Sequence, residues 1–203
     1  NLANRTAYNV TGLCEEDGIN NVTVTIGGSA TDTVNCSSGS FSATVDASGV
    51  SDSIITCPAN FVPVPRTYQH TGDQFCVAKY EMKNVGGVAT SQPALQPWDN
   101  IDRPTAIAEC QALGGSYDLI SNAEWMAMAE DMVNVPENWE SGIVGTGDMY
   151  EGHSDNNPSS TLSVSNVYDP WDQTGQTSGD QRRVHYLSNG LEVWDASGNI
   201  NDW

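Results

Sequence analysis

The sequence predicts two domains of different character. Residues 1–56 read as a small, mainly β sandwich, and residues 57–203 as an α+β domain rich in irregular loops. Three observations carry this. The stretches "NVTVTIGG" and "GSFSATVDASG" alternate apolar and polar residues with the period of two expected of a half-buried strand. Two later stretches repeat their apolar residues with helical period. After Val135 either pattern largely disappears, and Gly, Asn and Asp take over.

In the first domain, the second strand places Phe41, Ala43 and Val45 on one face. "DGINN", "GGSAT" and "SSGS" are turn chemistry between strands. Cys14 lies on the approach to one strand pair and Cys36 on a neighbouring strand. A Cys14–Cys36 bridge would staple a domain too small to rest on its core alone. The region looks like a short immunoglobulin-like or carboxypeptidase-regulatory-like sandwich, a spacer in many bacterial surface proteins.

In the second domain, "CPANFVPVP" reads as a strand closed by prolines, and "QFCVAKYEMKNV" as a second, longer strand. "DRPTAIAECQALG" reads as a helix with Pro104 in its first turn, an apolar face at Ile107, Cys110 and Leu113, and a stop at Gly114. "SNAEWMAMAEDMVNV" is a second helix, capped by Ser121 or Asn122, with Glu124 where the helix dipole favours an acid. Trp125, Met128, Ala129 and Met132 fall on one side and read as core, not as cofactor contacts. The irregular region from 136 to 203 is long for a compact domain and needs something to fix it. Bound metal is one such fixative.

Composition narrows the function. The net charge is -19, from 7 basic and 26 acidic residues. A phosphate backbone requires a basic footprint, so nucleic-acid binding is excluded. Cations or cationic partners suit the chain. No run approaches the ~18 apolar residues of a membrane span, so insertion into a bilayer is not expected. The chain starts at Asn1, which reads as a mature secreted chain or a fragment. The five cysteines form no CxxC and lie at no zinc spacing. They read as structural disulfides of an oxidising compartment, with one thiol left over. Cys57, Cys76 and Cys110 allow three single bridges, with a lean towards one that includes Cys110.

The tail "VWDASGNINDW" sets hard oxygen ligands between tryptophans. A turn at "SGN" would fold Asp195 towards Asp202, with the Gly198 and Ile200 carbonyls between them. Calcium takes oxygen sets of this type, although the spacing is not that of an EF-hand.

Four motifs in order resemble the formylglycine-generating-enzyme (sulfatase-modifying factor) family, a branch of the C-type-lectin-like folds. They are Tyr80-Glu81-Met82-Lys83-Asn84; Cys110-Gln111-Ala112-Leu113-Gly114; Leu119 to Met126; and Asp195 followed by Gly198 to Trp203. The resemblance spans about residues 57–203. It implies a calcium site with side-chain oxygens from Asp195 and Asp202 and carbonyls from Gly198 and Ile200. It implies a second calcium at "SNVYDPWD", through Asn166 and Val167, with Asp180 as a further ligand. The family's oxidase chemistry uses a copper-binding cysteine pair downstream of the last motif, and this sequence has no cysteine after Cys110.

Other chemistry is sparse. His70, His153 and His185 lie in separate segments and form no metal triad by spacing. In "EGHSDNNPSS", His153, Asp155, Asn156 and Asn157 could line a site for sugar hydroxyls. Arg182 and Arg183 could bind an anionic ligand or pin a local carboxylate. The sequence therefore supports a non-catalytic extracellular binding module: an adhesin or fibre tip, with a homotrimer suggested by analogy with such tips, recognising a cell-surface glycan or protein through a calcium-stabilised head. The alternatives are an oxidase whose catalytic segment lies beyond Trp203, and a purely structural envelope or fibre part.

Overall fold

The computed structural model describes residues 7–13, 21–26, 30–35, 40–46, 55–65, 74–177 and 179–200. The chain divides into two compact units, 1–54 and 55–203. The coarse expectation of a β-rich chain holds: among the described residues there are ten short strands and two α-helices.

In the first unit, β1 (Ala7–Leu13) pairs antiparallel with β4 (Ser40–Asp46), and β2 (Asn21–Ile26) with β3 (Ala30–Asn35). Alternation sets the register. Val22 faces Val34, and Thr23 faces Thr33 with their hydroxyls 3.2 Å apart. Ala43 is fully buried. The Cys14–Cys36 expectation lies outside the described residues.

The second unit opens with β5 (Phe61–Val64) paired to β6 (Phe75–Ala78). The long strand expected over "QFCVAKYEMKNV" is broken. β6 stops at Ala78, and β7 (Met82–Val85) forms its own hairpin with β8 (Val88–Ser91). The break has a use: the Lys79 carbonyl accepts the Trp194 N–H at 2.8 Å, and the Lys79 N–H donates to the Asn60 carbonyl. A disulfide joins Cys57 to Cys76, with Cα atoms 5.7 Å apart. This corrects the lean towards Cys110. The β5–β6 hairpin places Cys76 opposite Pro63, near the chain that carries Cys57. Cys110 stands free and half-buried on the first helix.

That helix, α1 (Arg103–Gln111), is capped by Asp102, whose carboxylate accepts the Thr105 N–H at 2.8 Å. Ile107, Cys110 and Leu113 are half-buried, as the pattern indicated. The second, α2 (Asn122–Val133), opens with a capping box between Ser121 and Glu124. Its buried face is Ala127, Met128, Asp131 and Met132, whereas Trp125 is exposed. The face is rotated from the expected one because Asp131 has a task inside. Its carboxylate accepts the Ser188 N–H and hydroxyl, both at 2.7 Å.

The remaining strands, β9 (Val184–Tyr186) and β10 (Glu192–Trp194), form a hairpin. Val62, Val64, Met128, Met132, Leu187 and Val193 make one core cluster. Tyr80, Val164, Val184 and Trp194 make a second. Each such side chain, fully buried, contributes about 1.5–3 kcal/mol. A buried Asn138 ties α2 to β9: its amide donates to the Met132 and Tyr186 carbonyls, and its oxygen accepts the Tyr186 N–H.

The bridge between Cys57 and Cys76 closes a loop of sequence separation 19. Replacing both cysteines by serine is expected to lower unfolding free energy by about 3 kcal/mol, read from urea denaturation. An unchanged midpoint would show that the hairpin holds without its staple.

Candidate functional site

The irregular region is organised around two adjacent arginines. Arg183 immediately precedes β9 and Asp195 immediately follows β10, so the hairpin register sets them opposite each other. The Asp195 N–H donates to the Arg183 carbonyl at 2.7 Å. Arg183 Nε and Nη2 donate to the two oxygens of Asp195, each at 2.6 Å. Both residues are buried, Arg183 completely. Nη2 also donates to the Leu162 carbonyl, and Nη1 to the Ser163 and Asp172 carbonyls. All five guanidinium donors are thereby used. The Arg183 N–H adds a bond to the Pro170 carbonyl.

This cation fixes the loop 162–174 from inside. Asp172, itself buried, accepts the Ser165 N–H at 2.5 Å, the Ser165 hydroxyl at 2.7 Å and the Asn166 N–H at 3.1 Å. Asn166 Oδ1 accepts the Tyr168 N–H, and Asp169 Oδ1 the Trp171 N–H. Val167 packs against the second core cluster. On the outer side of this pinned loop Tyr168 stands 91% exposed.

The tail turn is held just as closely. The Asn199 N–H donates to the His153 carbonyl. Asn199 Oδ1 accepts the Leu162 N–H at 2.7 Å, and its amide donates to Glu81 and to the Leu162 carbonyl. The turn lies so close to residues 152–153 that two glycines are obligatory. A Cβ at Gly152 would sit 1.5 Å from the Ser197 carbonyl oxygen. At Gly198, where φ is +80°, it would sit 2.7 Å from the His153 carbonyl oxygen.

Arg182 faces the other way, as neighbours in an extended segment do. Its guanidinium carbon lies 5.1 Å from the Tyr150 and Trp171 ring centres and 5.0 Å from that of Tyr186. Nη1 donates to the Glu137 carbonyl at 2.8 Å. Both arginines are thus internal, and of the two roles open to the pair, Arg183 takes the pinning of a local carboxylate.

The calcium ligands expected in the tail do not fit as described. Both Asp195 oxygens are held by Arg183, and a dication there would face a guanidinium. The Gly198 carbonyl accepts the Ile200 N–H at 2.9 Å. Asp202 lies outside the described residues. In the second expected set, Asn166 Oδ1 is engaged by Tyr168, and Asp180 is exposed with its carbonyl accepting the Glu151 N–H. Among the described residues, no group of three His, Cys, Asp or Glu side chains is placed to hold a metal ion.

The polar 153–160 loop is partly internal. His153 is buried, and its Nε2 lies 2.8 Å from the Pro158 carbonyl, so Nε2 carries the proton. Asp155 is exposed. The Asn157 N–H, then Gln181, hold its carboxyl below the usual carboxylate range. Asn156 and Asn157 are exposed. His185 is buried with Nε2 donating to the Tyr150 carbonyl, and burial pushes its pKa below the ordinary imidazole value. Burial raises the Cys110 thiol, with Asp118 and Glu109 adding to the effect, which leaves it a poor nucleophile.

No family model matches the chain, and neither a curated protein nor a solved structure matches it.

Asp195→Asn leaves the Arg183 charge buried without its counter-ion. Loss of one partner of such a pair costs about 3–5 kcal/mol. The expected thermal midpoint falls accordingly, by the same amount with millimolar calcium as with chelator. A variant that melts like the parent would show that the pair is not what holds the tail.

Proposed function

We propose that the chain is a non-catalytic extracellular binding module, an adhesin-like or fibre-tip head that recognises a glycan or protein on a cell surface. The carrying observation is Tyr168: a large aromatic, 91% exposed, on a loop fixed from beneath by Asp172 and Arg183. An exposed aromatic on a pre-ordered loop offers contact area at little entropic cost, which is how binding loops gain affinity. The loop 139–149 repeats the theme. It closes through a Trp139–Met149 bridge, Trp139 Nε1 donates to the Val133 carbonyl, and Ile143 is 60% exposed at its tip. This arrangement, function on irregular loops over a small β-rich scaffold, agrees with a C-type-lectin-like head.

Other features support the reading. The Cys57–Cys76 disulfide suits an oxidising exterior. Among the described residues, no helix is long and apolar enough to cross a membrane. The net charge of -19 favours a target surface carrying basic groups. Calcium is not part of this proposal, because Arg183 holds the carboxylate it would need.

The test is saturable binding to cells and to a glycan array. Tyr168→Ala is expected to weaken binding about tenfold or more, the scale of a hot-spot aromatic, without moving the thermal midpoint. Absence of saturable binding by the parent protein, or equal binding by the variant, would favour a purely structural part.

A further inference from the structure

Lys83 is the most unusual buried group in the second unit. It is fully buried in β7, and among the described residues its Nζ has no hydrogen-bond partner. An ammonium left so is costly, by several kcal/mol even after relaxation. Glu81 lies two residues earlier, immediately before β7, and its charge acts on the Lys83 amine. Glu81 Oε2 accepts the Asn199 amide N–H at 2.5 Å. Asn199 Oδ1 accepts the Leu162 N–H at 2.7 Å. One carboxylate therefore acts through its charge on a buried amine and is bonded directly to the Asn199 carboxamide.

We propose that Lys83 and Asn199 join in an intramolecular amide bond, with Glu81 moving the protons. The Lys83 Nζ lone pair attacks Asn199 Cγ, and the Leu162 N–H stabilises the oxygen of the tetrahedral intermediate. Glu81 takes a proton from Nζ and delivers one to Nδ2. The Cγ–Nδ2 bond breaks, ammonia leaves, and an Nζ–Cγ amide remains. No oxidant or cofactor is needed. Burial lowers the pKa of the amine, which enlarges its neutral, nucleophilic fraction. Glu81 and Asp195 oppose that shift, and Arg183 reinforces it. The product replaces a stranded buried amine with a neutral amide, and it locks the tail turn to β7. The proposal stands apart from the binding function.

Intact mass of the reduced protein reads the bond directly. The parent is expected to be lighter than its sequence by one ammonia. A tryptic digest should contain a species joining the peptide that begins at Tyr80 to the one that begins at Val184. Glu81→Gln, Asn199→Ala and Lys83→Met should each show the full mass their sequences require, so failure of one variant to fold leaves the others to read. A parent of full sequence mass overturns the proposal. So does a parent that lacks one ammonia without the joined peptide, or that keeps the loss in Glu81→Gln.

Discussion

A guanidinium with every donor satisfied is the constraint on which the second unit turns. Arg183 links the β9–β10 hairpin to Asp195 and reaches three carbonyls in the loop 162–172. That loop has no sheet in which to place its backbone groups. Buried carbonyls without donors would each cost about 1–3 kcal/mol. The arginine supplies those donors, and Asp195 cancels the charge this brings inside. Asp172, Asn138, Asp131 and Asn199 repeat the device with one side chain each, bonding two or three backbone or hydroxyl groups. A region nearly free of regular structure becomes ordered through side chains.

Order of this kind has a functional consequence. A loop fixed from below can present an exposed aromatic at a set position, and Tyr168 is so presented. Binding then need not be preceded by folding of the loop, and less of the contact energy is lost to ordering it. The same logic explains the glycines of the tail. Gly152 and Gly198 let two backbones approach so closely that a methyl group would collide, which brings Asn199 within reach of Leu162 and Glu81.

Much of the regular structure was legible. Alternation located β2 and β4, and local signals located both helices, Pro104 and Gly114 for α1 and Ser121 with Glu124 for α2, since these depend on neighbours in sequence. The broken strand at 79–81 was not legible, because its cause is the distant Trp194 N–H. The role of Asp131 was not legible either, because its partner Ser188 is 57 residues away. In the tail, the sequence pointed to oxygen chemistry around Asp195 and to calcium as its cation, whereas the carboxylate is held by Arg183. A carboxylate that can take calcium can equally take a guanidinium, and only the hairpin register decides that Arg183 faces Asp195. The adjacent Arg182 and Arg183, in a chain of 7 basic and 26 acidic residues, were the available clue to a pinned carboxylate. Lys83 gave no signal, since a lysine in a strand is ordinarily solvated.

The central claim is that an arginine, rather than a metal ion, orders the irregular region. Amide hydrogen exchange at Ser165, Asn166, Arg183 and Asp195 tests it most directly, measured on the intact protein with and without chelator. The account predicts slow exchange at all four, unchanged when metal is removed. Exchange that accelerates in chelator and recovers with added calcium would contradict it.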